Sequence, residues 1–191
     1  MVHPKSLSPG FPLEEILKLL RKGDIVTHCF APTHPLYFPH AEILDEEGKV
    51  LPSVKEAAQR GIYFDVGHGS RSFYFDTAMK ALADDFLPTT ISTDLHTESL
   101  KTAKDLPTTM SKFLALGLPL TKVVEMSTAN PAQVLGFEGV LGTLKPGAEA
   151  DITVLDLETG EFTFYDVRGK NLHGQHLLKP HTVIKGGEII P

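Results

Sequence analysis

Ile91-Ser92-Thr93-Asp94-Leu95-His96 reads as a short strand that ends in an acid and a histidine. Side chains alternate along a strand, so the pattern predicts Asp94 and His96 on one face and Thr93 and Leu95 on the other. A carboxylate and an imidazole then share one mouth. In a barrel of alternating strands and helices, chemistry sits at the C-terminal strand ends, and such a pair reads as catalytic. An Asp that caps the next helix is an equal reading of this stretch taken alone.

Working upstream, the arrangement recurs. I-Y-F-D-V-G-H-G, 62 to 69, is an apolar strand with His68 at its exit between glycines, and D-I-V-T-H-C-F, 24 to 30, carries His28 near its end. Met1-Val2-His3 brings a histidine at once, too early for a complete strand to precede it. Helices are predicted between these strands. One starts at Pro12, with Glu14 and Glu15 in its first turn, a stripe of Leu13, Ile16, Leu17 and Leu20, and Lys22-Gly23 as its end. A second runs from about Pro52 to Gly61, and Phe75, Ala78, Met79 and Leu82 mark a third. A long loop rich in Pro and His links Ala31 to about Val50. Beyond Asp94, helices around 110 to 116 and 121 to 127 are expected to end at Gly117 and at Asn130-Pro131. Strands alternating with helices imply a parallel sheet with helices packed outside it, about four βα units up to Gly136. From Leu141 the texture changes to short strands with Gly and Pro turns, a small all-β element. The stretch from Glu158 to Pro180 shows no clear period. The expected division is therefore 1–137 and 138–191.

Composition narrows the function. The chain has 191 residues, 41% hydrophobic and 22% charged, with no run approaching the roughly 18 apolar residues that span a bilayer. Its start lacks the apolar core of a signal peptide, and its single cysteine, Cys29, fits a reducing compartment, so a cytoplasmic protein is expected. The net charge of -6 is spread without blocks, which argues against nucleic acid or an anionic membrane as partner. Chemistry on a small molecule is the open option.

His3, His28, His68 and Asp94 occupy equivalent strand-end positions. Neutral imidazoles and a carboxylate suit a borderline divalent ion such as zinc, which lowers the pKa of bound water to about 7. A single strand-end histidine is more often a hydrogen-bonded structural residue than a ligand; four groups in register shift that balance. His34 and His40 lie in a loop without such register and read as surface or lid residues, and Cys29 reads as core.

The motifs M-V-H (1–3), T-H-C-F (27–30), D-V-G-H-G (65–69), S-T-D-L-H (92–96), L-P-T-T-M-S-K-F-L (106–114), T-A-N-P-A (128–132) and L-G-T-L-K-P-G-A-E-A-D-I-T-V-L-D (141–156) span nearly the whole chain. In this order and spacing the chain resembles the C-terminal half of an amidohydrolase-superfamily enzyme, close to the dihydroorotase-like amidohydrolase/deacetylase metallohydrolases. The resemblance implies an α/β fold: the C-terminal half of a (β/α)8 TIM-type barrel, strands 5 to 8, followed by part of a small β-sandwich domain. It implies His3 and His28 as metal ligands of the fifth and sixth strands and Asp94 as the eighth-strand acid. Asp94 would bind metal and carry a proton from the attacking water to the leaving amine. His68 and His96 would line the substrate pocket. Two divalent metals, zinc foremost, are implied for the full-length family. The family's H-x-H and its bridging lysine have no counterpart here, so metal binding by the isolated chain is expected to be weak or absent.

Two readings follow. One is metal-dependent hydrolysis of a non-peptide amide C–N bond, such as that of an N-acyl amino acid or cyclic amide, in the full-length or reassembled protein. The other is a non-catalytic fragment that self-associates. Either way the chain is expected to pair with a second copy or a separate N-terminal half, since a half barrel exposes sheet edges. Gly67 to Arg71 adds a candidate anion site in which the next helix N-terminus and an Arg71 fork take a substrate carboxylate; Gly and Ser starting a helix with Arg71 in solvent is an equal reading.

Overall fold

Val2, Val26, Phe64 and Thr90 belong to four parallel segments that lie side by side. The computed structural model describes residues 1–4, 12–32 and 42–190; His34 and His40 fall outside them. Strand β1 (Ile25–Val26) pairs in parallel with β2 (Tyr63–Phe64), with Ile25 opposite Tyr63 and Val26 opposite Phe64. Single bridges extend the array on both flanks, Val2 to Val26 and Asp65 to Thr90, both parallel. The segments are short because each leaves the ladder early for a loop that carries the polar residues discussed below.

The helices follow the punctuation in the sequence. Helix α1 spans Leu13–Leu19 behind Pro12, and α2 spans Pro52–Gln59, with Gly61 turning the chain back at φ 87°. Helix α3 is Phe75–Ala83, and its stripe is narrower than the spacing suggested: Phe75, Ala78 and Ala81 are buried whereas Met79 is exposed. These helices cover one side of the array. Val26, Ile62, Phe64 and Ile91 all bury beneath them, while Ile25 and Tyr63 on the opposite face are only half-buried. The sheet is therefore open on one side only. Among the described residues, no helix is long and apolar enough to cross a membrane.

After a short 3-10 turn at Ser99–Lys101 come α4 (Leu106–Ala115), α5 (Leu120–Ser127) and α6 (Ala129–Val134). Asn130-Pro131 does not end a helix here. It lies in the first turn of α6, where a proline's missing N–H has no intrahelical acceptor to lose, and Thr128 (φ -134°, ψ -78°) makes the break from α5.

Strands β3 (Ile152–Tyr165), β4 (Asn171–Lys185) and β5 (Glu188–Ile190) form one antiparallel three-stranded sheet in the order β3-β4-β5. The β3–β4 register slips between Val154 and Leu155 and again between Thr159 and Phe162. Each slip moves the following side chains to the other face, which erases the period-two pattern and explains why the sequence between Glu158 and Pro180 shows none. The hairpin docks on α4. Leu178 N donates to Ser111 Oγ at 2.8 Å, and Phe164 and Leu178 enter the same apolar core as Phe30, Phe73, Phe75 and Phe113. Phe73 sits at its centre, 6.1, 5.7 and 5.5 Å from the ring centroids of Phe30, Phe75 and Phe113. Burying each such ring contributes roughly 2 to 3 kcal/mol, and the parallel segments, their helices and the hairpin share this core.

Candidate active site

The polar residues gather where the parallel segments end. Asp65, the residue after β2, is buried, and its carboxylate accepts from three hydroxyls: Thr27 Oγ1 at 2.6 Å, Thr90 Oγ1 at 2.6 Å and Ser92 Oγ at 2.8 Å. One acid thus ties together the ends of β1, β2 and the Thr90 segment. A buried carboxylate is costly unless its lone pairs are used, and here hydroxyls of both neighbouring segments use them.

Above this layer lies the loop Gly67-His68-Gly69. Gly67 O accepts from His28 Nδ1 at 2.6 Å, Gly67 N donates to Ser92 Oγ at 3.1 Å, His68 N to Ser92 O at 3.0 Å and Gly69 N to Thr93 O at 2.9 Å. A carbonyl can only accept, so His28 carries its proton on Nδ1, and Nε2 is the acceptor nitrogen, the tautomer a metal ligand needs. Gly67 and Gly69 both have positive φ, 48° and 54°. Their lack of a side chain lets the candidate ligands approach: a methyl on Gly67 would lie 2.6 Å from His28 Nδ1, and one on Gly69 2.8 Å from Asp94 Oδ2.

His28 and Asp94 are themselves unusual. Their φ values are 64° and 43°, in the left-handed region that L side chains rarely adopt; among the described non-glycine residues only Asp85 and Lys104 join them. Strain of this kind costs of order 1 to 3 kcal/mol and persists where the surroundings enforce it. At Asp94 it also ends the alternation the sequence suggested. The backbone from Ile91 hydrogen-bonds alongside Val66 to Gly69 but forms no regular strand, and beyond Asp94 it turns, with His96 N donating to Ser99 Oγ at 2.8 Å and Ser99 Oγ donating to Asp94 O at 3.0 Å. Asp94 and His96 are both exposed, but not as same-face strand residues.

His3 and His28 come together, ring centroids 4.1 Å apart and edge to face. Cys29, the neighbour of His28, is buried as expected, and burial pushes its thiol pKa up. His68 faces inward: it is fully buried, stacks on Phe73 at 4.7 Å, and has both ring nitrogens engaged, Nδ1 with Gly69 O at 2.9 Å and Nε2 with Lys112 Nζ at 2.8 Å. Arg71 lies at the rim with Nη2 3.7 Å from Glu98 Oε2. The helix N-terminus expected beside it as an anion site is already filled, because α3 starts only at Phe75 and Phe75 N donates to the buried carboxylate of Asp166 at 3.2 Å. On the open side of the array a cavity of about 350 Å³ is lined by Met1, Ile25, Thr90, Thr93, Val134 and Leu135.

The metal fit is partial. His28 has the right tautomer and His3 lies against it, yet among the described residues no three His, Cys, Asp or Glu side chains converge into a set that could hold an ion. Two residues, Asp65 and Lys112, stand in the quoted motifs but were given no role there. Asp65 was legible as a lone acid inside an apolar strand. Lys112 was not, since Thr109 to Phe113 are all buried and the helix offers no solvent face there against which a buried lysine would stand out.

The profile of the Amidohydrolase family matches residues 39–190. The chain belongs to that family. It is 37% identical to the deacetylase Atu3266 of Agrobacterium fabrum over 191 residues, which is 100% of this chain and 45% of that protein. A crystal structure of an adenine deaminase superposes with a TM-score of 0.87 at 33% identity, covering 96% of this chain and 49% of the other. A crystal structure of a dihydroorotase superposes with a TM-score of 0.84 at 37% identity, covering 100% and 50%. The chain thus spans about half the length of these relatives, as the resemblance to a C-terminal half implied, and the array of parallel segments corresponds to part of an amidohydrolase barrel.

Proposed function

We propose that this chain carries the acid-and-histidine half of an active site that hydrolyses a non-peptide amide C–N bond, that of an N-acyl amino acid or a cyclic amide, in the full-length or reassembled protein. One observation carries the reading: His28 and Asp94 are both held on left-handed backbone around the same Gly67–Gly69 loop. The deacetylase relatives add support for an acylated amine.

In this reading His3, His28 and Asp94 would hold a divalent metal, zinc by the preference of imidazole and carboxylate donors, once drawn together with further donors from outside this chain, because they form no closed set by themselves. Bound there, the ion supplies Lewis acidity that brings water's pKa near neutrality. His28 presents Nε2 because Gly67 O holds Nδ1–H. Asp94 takes one proton of the attacking water as oxygen adds to the carbonyl carbon, then returns it to the nitrogen as the C–N bond breaks, leaving an amine and a carboxylic acid that loses its remaining proton to solvent. Arg71 and His96, at the rim, contact the substrate, Arg71 by exchanging Glu98 for a substrate carboxylate. His68 shapes the pocket from behind.

The β3–β5 sheet forms one layer of a small β-sandwich in this reading, and the half-buried Ile25 and Tyr63 on the open face are covered by a second polypeptide, an identical copy or a separate N-terminal half. The protein is read as cytoplasmic, with no nucleic-acid or membrane partner. The test is turnover of a panel of N-acyl amino acids and cyclic amides by the full-length or reassembled protein. Asp94→Asn should lower kcat by roughly a hundredfold or more while leaving the fold intact. Near-normal turnover in that variant would remove Asp94 from its role.

A further inference from the structure

Lys112 is buried at 1% exposure in the middle of α4, and among the described residues no carboxylate pairs with its ammonium group. Its Nζ meets three acceptors: His68 Nε2 at 2.8 Å, Thr102 O at 2.7 Å and Tyr165 O at 2.8 Å. An ammonium has three N–H donors, and all three are used. Burying such a cation is unfavourable unless something specific is gained. Nothing in the hydrolytic reading uses it.

We infer that Lys112 is a positioning residue that fixes His28 and Asp94 through His68 and Thr102. The inference rests on the proposed role of those two side chains, and its geometry runs along two routes. In the first, the ammonium donates to His68 Nε2, so the His68 proton must sit on Nδ1, where it donates to Gly69 O at 2.9 Å. That bond sets the Gly67–Gly69 loop, whose Gly67 carbonyl holds His28 and whose Gly69 lies against the Asp94 carboxylate. In the second route the ammonium fixes Thr102 O. Thr102 Oγ1 in turn lies 3.2 Å from both Gly69 O and Ser99 O and shares its single proton between them, and Ser99 Oγ donates to Asp94 O. The two routes meet at Asp94.

The third acceptor, Tyr165 O, lies at the end of β3. Lys112 thereby couples the active-site loop to the C-terminal sheet. Its charge state supports the arrangement. Burial lowers the lysine pKa to about 7, with Asp166 raising it and Lys104 lowering it further, and burial together with Lys112 lowers that of His68 to about 3. Near pH 6 an ammonium therefore faces a neutral imidazole.

The test reads the imidazoles directly in the chain as it stands, by nitrogen-15 NMR at pH 6, and needs no turnover. In the wild type, His68 is expected as the Nδ1–H tautomer; finding it as Nε2–H would overturn the inference without any variant. In Lys112→Met, which keeps the volume and removes the donors, the His68 signals should move toward a tautomer mixture. The Nδ1 proton of His28 should exchange at least tenfold faster. Val54→Ala, a buried truncation on α2, serves as the control for lost stability and should leave both signatures in place. Unchanged His28 and His68 signals in Lys112→Met, or equal changes in the two variants, would show that Lys112 only fills space. Because no substrate enters the experiment, an unexpected reaction specificity would not affect its outcome.

Discussion

His28 Nδ1 donates to Gly67 O across 2.6 Å, and the two residues share more than that bond. A methyl group on Gly67 would lie 2.3 Å from Thr27 Oγ1 and 2.6 Å from His28 Nδ1, closer than any real contact, at a φ of 48°. Gly67→Ala should therefore destabilise the chain by about 2 to 3 kcal/mol, since steric overlap adds to the strain of a left-handed alanine. Urea midpoints measure this. A loss below about 0.5 kcal/mol would mean that the loop relaxes freely.

Asp65 offers a second test because its carboxylate is the shared acceptor of Thr27, Thr90 and Ser92. Asp65→Ala leaves three hydroxyls to find new acceptors and opens a small void between adjacent segments. We expect a loss of about 3 kcal/mol, with Asp65→Asn intermediate because its amide oxygen retains part of the acceptor capacity. Chemical denaturation of both variants should give that order.

Stability should also depend on pH through His68. Its folded pKa is lowered to about 3 against an ordinary 6.5, by burial first and then by Lys112. Below 6.5 the unfolded chain takes up a proton that the folded chain refuses. The contribution of His68 is therefore fully present above about pH 6.5 and declines as pH falls toward 3, by roughly 4 kcal/mol. His68→Asn should flatten that limb of the stability curve relative to the wild type. Parallel curves for the two proteins would contradict the assignment.

Arg71 tests substrate contact. In the full-length or reassembled protein, Arg71→Ala should raise KM for a carboxylate-bearing amide roughly tenfold and leave KM for an uncharged amide unchanged. Equal KM values for the charged substrate in variant and wild type would remove Arg71 from substrate contact.

The parallel array was readable from residue order because local signals agree there: Pro12 and Pro52 open helices, Gly23 and Gly61 close turns, and the runs around Val26 and Phe64 are apolar and bury. His28 and Asp94 were legible as chemistry-bearing residues at segment ends, and the motif series identified the family. Tertiary structure decided the remainder. Alternation could not place His96 relative to Asp94, because Asp94 takes a φ of 43° where its carbonyl accepts from Ser99 Oγ and the neighbouring Thr93 carbonyl accepts from Gly69 N, partners that lie outside the local stretch. The β3–β4 hairpin was hidden by two register slips. The environment of Lys112 was set by His68, Thr102 and Tyr165, which lie 44, 10 and 53 positions away in the chain. A sequence fixes propensities over a few residues; a buried lysine with three neutral acceptors is specified only when distant segments close around it.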